Sequence, residues 1–198
     1  MNVLCVIAMT SEALLIEKKP PVERVLLTGV GKVNAAFKLS EYLAKHSVDW
    51  ILNLGFAGAT PGYQIGDLVL ITESSYHDFD LSAFGYAKGQ VPGYPEVFLS
   101  DYQHVKRLQE AFPTLKQGRL LTGDYFMTDQ RKGEFVVDME GAALYQVAYH
   151  YQIPILSIKV ISDILGMDHH LESFKVFAEE EGAKRLKSVY DAVIDLMK

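Results

Sequence analysis

The chain has 198 residues, of which 49% are apolar and 22% charged, with a net charge of -6. That length and balance suit one globular domain over residues 1–198 with a sizeable core. The charge, with Lys and Arg thinly spread, argues against a nucleic-acid partner. Apolar runs such as Val3 to Met9 fall far short of the roughly 20 residues a membrane-spanning helix needs. No basic segment precedes an apolar core at the N-terminus, so no signal peptide is expected. The lone Cys5 sits inside the first apolar run, where a buried reduced thiol fits a cytoplasmic protein.

In chain order, Asn2 to Ala8 is a continuous apolar run of strand length, the pattern of a strand buried on both faces. A short helical stretch is expected after Met9-Thr10-Ser11-Glu12, ending before Pro20-Pro21. Arg24 to Thr28 reads as a second strand. Gly29 and Gly31 then turn the chain into a helix from Lys32 to His46, with Val33, Ala36, Phe37, Leu39, Leu43 and Ala44 on roughly one face. Asp49 to Leu54 is a third strand running into Gly55-Phe56-Ala57-Gly58. Strand, Gly-rich turn, helix, strand is the grammar of a parallel sheet with crossover helices.

Ile65 to Ile71 is strand-like, and Ala83 to Tyr94 is a loop dense in Gly, Pro and aromatic residues, a composition suited to a lid or contact surface. A helix near Tyr102 to Phe112 and a strand from Gly118 to Leu121 come next. Phe135 to Asp163 then reads as strand, helix, strand, with Asp138, Glu140 and Asp163 where strands stop. Open α/β sheets build their sites at such carboxyl ends. Glu140 could equally be a first-turn glutamate facing a helix dipole, and Asp163 a cap for the next element of the chain. From Leu171 to Met197 the apolar spacing predicts a covering helix, softened at Gly182.

Familiar signatures fail. The Gly29-Val30-Gly31 pattern lacks its third glycine, and Val33 stands where a phosphate loop needs Ser or Thr. His169-His170 lack zinc spacing and read as solvated loop residues, so no metal and no cofactor is expected. No nucleophile elbow or Cys-His signature is present.

Taken together, Ala8-Met9 with Glu12, TGVGKVNAA at 28–36, NLGFAGA at 53–59, YHDFDLSAFGYAKGQVPGYP at 76–95, TGDYFM at 122–127, VDMEGAA at 137–143 and VISD at 160–163 resemble the nucleoside phosphorylase and nucleosidase family. The resemblance is to its 5′-methylthioadenosine/S-adenosylhomocysteine nucleosidases. It implies an α/β fold with three layers, a central mixed, largely parallel sheet flanked by helices. It also implies hydrolysis of an adenine N-glycosidic bond. Asp163 would protonate N7 of the purine and Glu12 would deprotonate the attacking water, a division of labour shared with glycoside hydrolysis. Glu140 would hold the ribose hydroxyls and Met139 would pack on the sugar. Phe126 would stack on the purine, whose edge the Met127 backbone would read, although Phe126 and Met139 could also be core residues. Met9, Ala57, Gly58, Ser162 and Phe174 would complete the substrate pocket. Leu81 and Phe84 would reach into a partner subunit's site in a homodimer.

Phe56 stands where these nucleosidases usually carry serine and Lys159 where they usually carry arginine, changes expected to narrow or re-tune the water pocket. The chain is also shorter than the family between Glu12 and Arg24 and between Met127 and Phe135. None of Arg24, Arg107, Arg119, Arg131 and Arg185 falls in a predicted site loop, so water rather than phosphate is the expected nucleophile. Two other readings stay open: a nucleosidase for another adenine nucleoside such as aminodeoxyfutalosine, and a nucleoside-binding protein without turnover.

Overall fold

The computed structural model describes residues 1–197. Its strands are β1 (Val3–Ile7), β2 (Val22–Leu27), β3 (Trp50–Ala59), β4 (Leu68–Tyr76), β5 (Phe98–Leu99), β6 (Lys116–Thr122), β7 (Val136–Asp138) and β8 (Ile155–Ile164). Its α-helices are α1 (Lys32–Leu43), α2 (Tyr102–Ala111), α3 (Gly141–Tyr151), α4 (His170–Phe177) and α5 (Ala183–Met197). The sheet is mixed and flanked by helices, as expected, and part of it closes on itself. β3 pairs with β8, β8 with β4, β4 with β6, β6 with β7, and β7 returns to β3. β1 and β2 extend the sheet from β3, and β5 borders β4.

Two apolar layers hold this sheet. On one face Ala35, Leu39 and Leu43 of α1 and Ala142, Leu144 and Ala148 of α3 pack with Ile51 and Ile155. On the other, Leu186, Val189, Tyr190 and Val193 of α5 pack with Leu52, Leu54 and Ile158. Strands covered on both faces need apolar side chains at successive positions, which is why β1 reads as an unbroken apolar run and β3 and β8 are apolar except where Asn53, Ser157, Lys159, Ser162 and Asp163 interrupt them.

Three expectations are corrected. Residues 10–15 form turns instead of a short helix, because the Glu12 side chain turns inward while Leu14 and Leu15 stay exposed. β3 does not stop at Leu54 but continues through Gly55-Phe56-Ala57-Gly58 to Ala59. On α1 the buried stripe is Ala35, Leu39 and Leu43, whereas Val33 and Phe37 are 77% and 60% exposed. The predicted softening at Gly182 is present as a π-helical turn, Ala178–Gly182, between α4 and α5. A side chain at 182 would collide with the Phe56 ring, so the widened turn and its glycine make room for that aromatic.

Candidate active site

β3 changes neighbours partway along one edge. β1 covers residues 50–53, β7 covers 58–59, and the backbone between them has no strand partner on that side. A buried N–H there must find an acceptor. Glu12, itself 2% exposed, supplies it: Oε1 accepts from the Phe56 N–H at 2.7 Å and Oε2 from the Met9 N–H at 2.8 Å. Burial pushes the Glu12 pKa up, against the lowering effect of these two N–H groups and of Lys159.

Two residues further along β3, Gly58 faces Asp163. A Cβ at Gly58 would stand 2.6 Å from Asp163 Oδ2, so the absent side chain is what admits the carboxyl. The Ser162 hydroxyl lies 2.5 Å from Asp163 Oδ1 and 3.2 Å from the Ala57 carbonyl. Asp163 Oδ2 is hydrogen-bonded to Nε2 of His170, which is 6% exposed. The expectation of two solvated histidines therefore fails for His170. Asp163 caps no helix, since the residue preceding α4 is His169.

Glu140 precedes α3 but makes no cap there. Its Oε1 accepts from the Gly31 N–H at 2.7 Å, and Gly31 holds φ 95°, a backbone open mainly to glycine. Asp138 does the capping, accepting from Gly141 N–H, and also receives the Thr122 hydroxyl at 2.6 Å. Lys159 Nζ lies 2.8 Å from Asp138 Oδ2, both side chains being almost fully buried. Burial opposes the Lys159 charge, but Asp138, with Glu140 and Glu12 behind it, outweighs burial and raises its pKa. The Glu140 carboxyl is pushed up to about 7 by its own burial and then by Asp138. Three carboxyls around one ammonium leave this region net negative when all are ionised.

These groups open into one cavity that reaches solvent. Met9, Glu12, Ala57, Gly58, Phe126, Met127, Met139, Glu140, Ser162, Asp163 and Phe174 all line it. Leu81 and Phe84 do not; Phe84 is 77% exposed on its loop. The lining also includes Asp138, one of the acids expected at the strand ends, and Ala8, Val30, Tyr125 and Val137, which the sequence does not single out as pocket residues. Phe126 meets His170 and Phe174 edge to face, with ring centroids 5.2 and 5.6 Å apart, and is 41% exposed, so it is not a core residue. Phe56 lines the cavity, while its ring packs edge-on against Phe174 and Phe177 in the helical layer. Lys159 is engaged by Asp138 behind the lining.

Residues 15–195 match the phosphorylase superfamily. The 5′-methylthioadenosine/S-adenosylhomocysteine nucleosidase of Geobacillus thermodenitrificans is 40% identical, with 80% of this chain and 73% of that protein aligned. The nucleosidase of the same description from Geobacillus kaustophilus is 38% identical, with 89% and 81% aligned. The chain belongs to this nucleosidase family, within the phosphorylase superfamily. Among solved structures, the Streptococcus pneumoniae nucleosidase with the transition-state inhibitor MT-ImmA superimposes with a TM-score of 0.88 at 29% identity, both chains being fully covered. A futalosine hydrolase mutant of Helicobacter pylori shares the fold at 21% identity, with a TM-score of 0.84 over 98% of each chain.

Proposed function

We propose that this nucleosidase hydrolyses the N-glycosidic bond of adenine nucleosides such as 5′-methylthioadenosine and S-adenosylhomocysteine, releasing adenine. The observation that carries this reading is the convergence of Glu12 and Asp163, far apart in sequence, on one stretch of β3 beside Glu140. Glu12 is tied to residue 56 and Asp163 lies against residue 58. With about 3.3 Å of rise per residue, their attachment points stand about 7 Å apart along the strand. That leaves room for a sugar C1′ with water on one side and the departing purine on the other.

In this reading Asp163 donates its proton to N7 as the C1′–N9 bond breaks and its electron pair moves into the purine. Water forms the new C1′–O bond and gives its proton to Glu12. Glu140 binds the ribose hydroxyls, and the negative ring of Glu12, Asp138 and Glu140 favours the cationic sugar of the transition state. Phe126 offers an exposed ring for stacking on the base. No Lys or Arg lines the cavity among the described residues, so the cationic cradle for phosphate is missing there. The buried thiol of Cys5 suits a reducing cytoplasm.

The protein also acts as a homodimer in this reading. Val30 lines the cavity yet is 47% exposed, and beyond it Val33 and Phe37 form an uncovered apolar stripe on α1. A second copy would bury that stripe and bring Leu81 and Phe84 to the partner's pocket. Purified protein given methylthioadenosine should release adenine and free sugar at a rate that millimolar phosphate leaves unchanged. A sugar 1-phosphate product, or binding without release, would refute the assignment. Sedimentation should show a dimer.

A further inference from the structure

Asp163 is 2% exposed, and a purine bound in the cavity would cover it further. An acid that gives up its proton at every turnover needs a source for the next one. On this point the structure offers a residue outside the catalytic machinery. His170 is absent from the cavity lining but bonds Asp163 Oδ2 through Nε2, so it approaches the carboxyl from behind. Its other nitrogen, Nδ1, is buried and has no hydrogen-bond partner among the described residues. The same residue lines a surface depression together with His169, Leu171, Glu172 and Lys175. His169 at φ 56°, a costly conformation for a residue with a Cβ, turns the chain so that the first residue of α4 points inward.

We propose that His170 is the proton-supplying partner of Asp163, linking the acid of the reaction to solvent through the depression on α4. This rests on Asp163 being the acid that protonates the purine. An imidazolium–carboxylate pair holds the same protons as a neutral imidazole beside a carboxylic acid, and the two behave as one coupled unit. Once the Asp163 carboxyl has given its proton to N7, Nδ1 of the neutral His170 ring takes a proton from solvent as Nε2 releases its own to the carboxylate, so the ring stays neutral and the carboxylic acid is restored. No redox partner is involved, and the proton lost here is balanced by the one Glu12 takes from the attacking water. The charged and titratable groups near His170 are Asp163 on β8, His169 just before α4, and Glu172 and Lys175 on α4 itself. Gly58 on β3 and Phe126 bring no charge to the pair.

The test is the pH profile of kcat/KM for methylthioadenosine in wild type, His170→Gln and Asp163→Asn. Gln keeps a hydrogen bond to Asp163 but stores no proton. The expected result is a His170→Gln enzyme whose alkaline limb moves to lower pH, with KM near wild type. Imidazole in the buffer should restore turnover at pH 8 to His170→Ala. If His170 merely packs against Phe126, the variants lose activity equally at every pH and imidazole does nothing, which overturns the proposal. Should both variants fail to fold, ¹⁵N shifts of the wild-type His170 ring would decide. They should report a ring whose titration changes in Asp163→Asn, and an unaltered titration would overturn the proposal. Near-normal turnover in Asp163→Asn would instead refute the acid assignment beneath it, whatever His170 does.

Discussion

The two ends of the cavity are held by different means. At the Glu12 end the carboxylate is gripped by two backbone N–H groups, one of them exposed by the gap in the β3 ladder, and closed off by the buried Lys159–Asp138 pair. At the Asp163 end the carboxyl is set by side chains, Ser162 and His170, and bordered by Phe126, which sits on an irregular segment and is part-exposed. Glu12 is thus anchored by the backbone, whereas Asp163 depends on neighbours that can be changed one at a time. In the proposed reaction, preorganisation at the Glu12 end costs nothing as water attacks, and adjustability at the Asp163 end leaves room for the purine to enter, stack and leave.

The largest expected effect erases the difference between the ends. Asp163→Asn keeps size and hydrogen bonding but has no acidic proton, so turnover should fall by about 10²–10⁴-fold or more while adenine affinity changes little. Glu12→Gln should be comparably impaired through loss of the base. Single-turnover kinetics with an adenine-release assay would separate chemistry from binding, and near-normal turnover in either variant would remove that residue from its role.

A sharper test adds one methyl group at each end. Gly58→Ala puts a Cβ 2.6 Å from Asp163 Oδ2 and 3.0 Å from Val137, neither of which can yield easily. Gly55→Ala meets Glu12 Oε1 at 3.0 Å and the flexible Lys159 tip at 3.4 Å. Displacing a reacting group by 1 Å can cost about 10²-fold, so Gly58→Ala should lose about that much in turnover and Gly55→Ala about 10-fold. Equal losses would mean that the ends are equally rigid.

Stability should respond to pH through Glu140. Folding raises its pKa to about 7, so the folded protein holds this proton more tightly than the unfolded chain does. Its contribution to stability is complete below about pH 4.3, where the unfolded carboxyl titrates, and is lost as pH rises through about 7. Glu140→Gln can still accept from Gly31 N–H but never ionises. It should unfold later than wild type at pH 8, by up to about 3 kcal/mol, and show little advantage at pH 4.5. Denaturant titration at the two pH values checks this, and an advantage confined to acid pH would reverse the sign of the argument. The smallest effect is expected from Phe84→Ala, which should raise KM about three- to tenfold with turnover nearly unchanged, provided the loop serves a partner's pocket.

Much of this site was legible because the strands announce themselves. β1, β6, β7 and β8 lie within two or three residues of their predicted bounds, and the acids at the ends of β7 and β8 stand beside the cavity. The far end of β3 was harder to read, since Gly55 and Gly58 look like a turn. They are glycines because carboxyls, not chain reversal, occupy the space beside them. The Lys159–Asp138 pair could not be read locally, being a contact between neighbouring elements 21 residues apart. His170 was hidden in the polar run MDHHLES. The signal that marks it is its spacing, four residues before Phe174 and seven before Phe177, which places it on the inward stripe of α4.

The meeting of Phe56 with the π-helical turn at Gly182 bears on how such a sequence can change. The Phe56 ring fills the space a Cβ at 182 would need, and a side chain as small as serine at 56 would not reach it. The two positions are therefore coupled through one shared space: Gly182→Ala should strain the protein as it stands, and Phe56→Ser is the change that should relieve that strain.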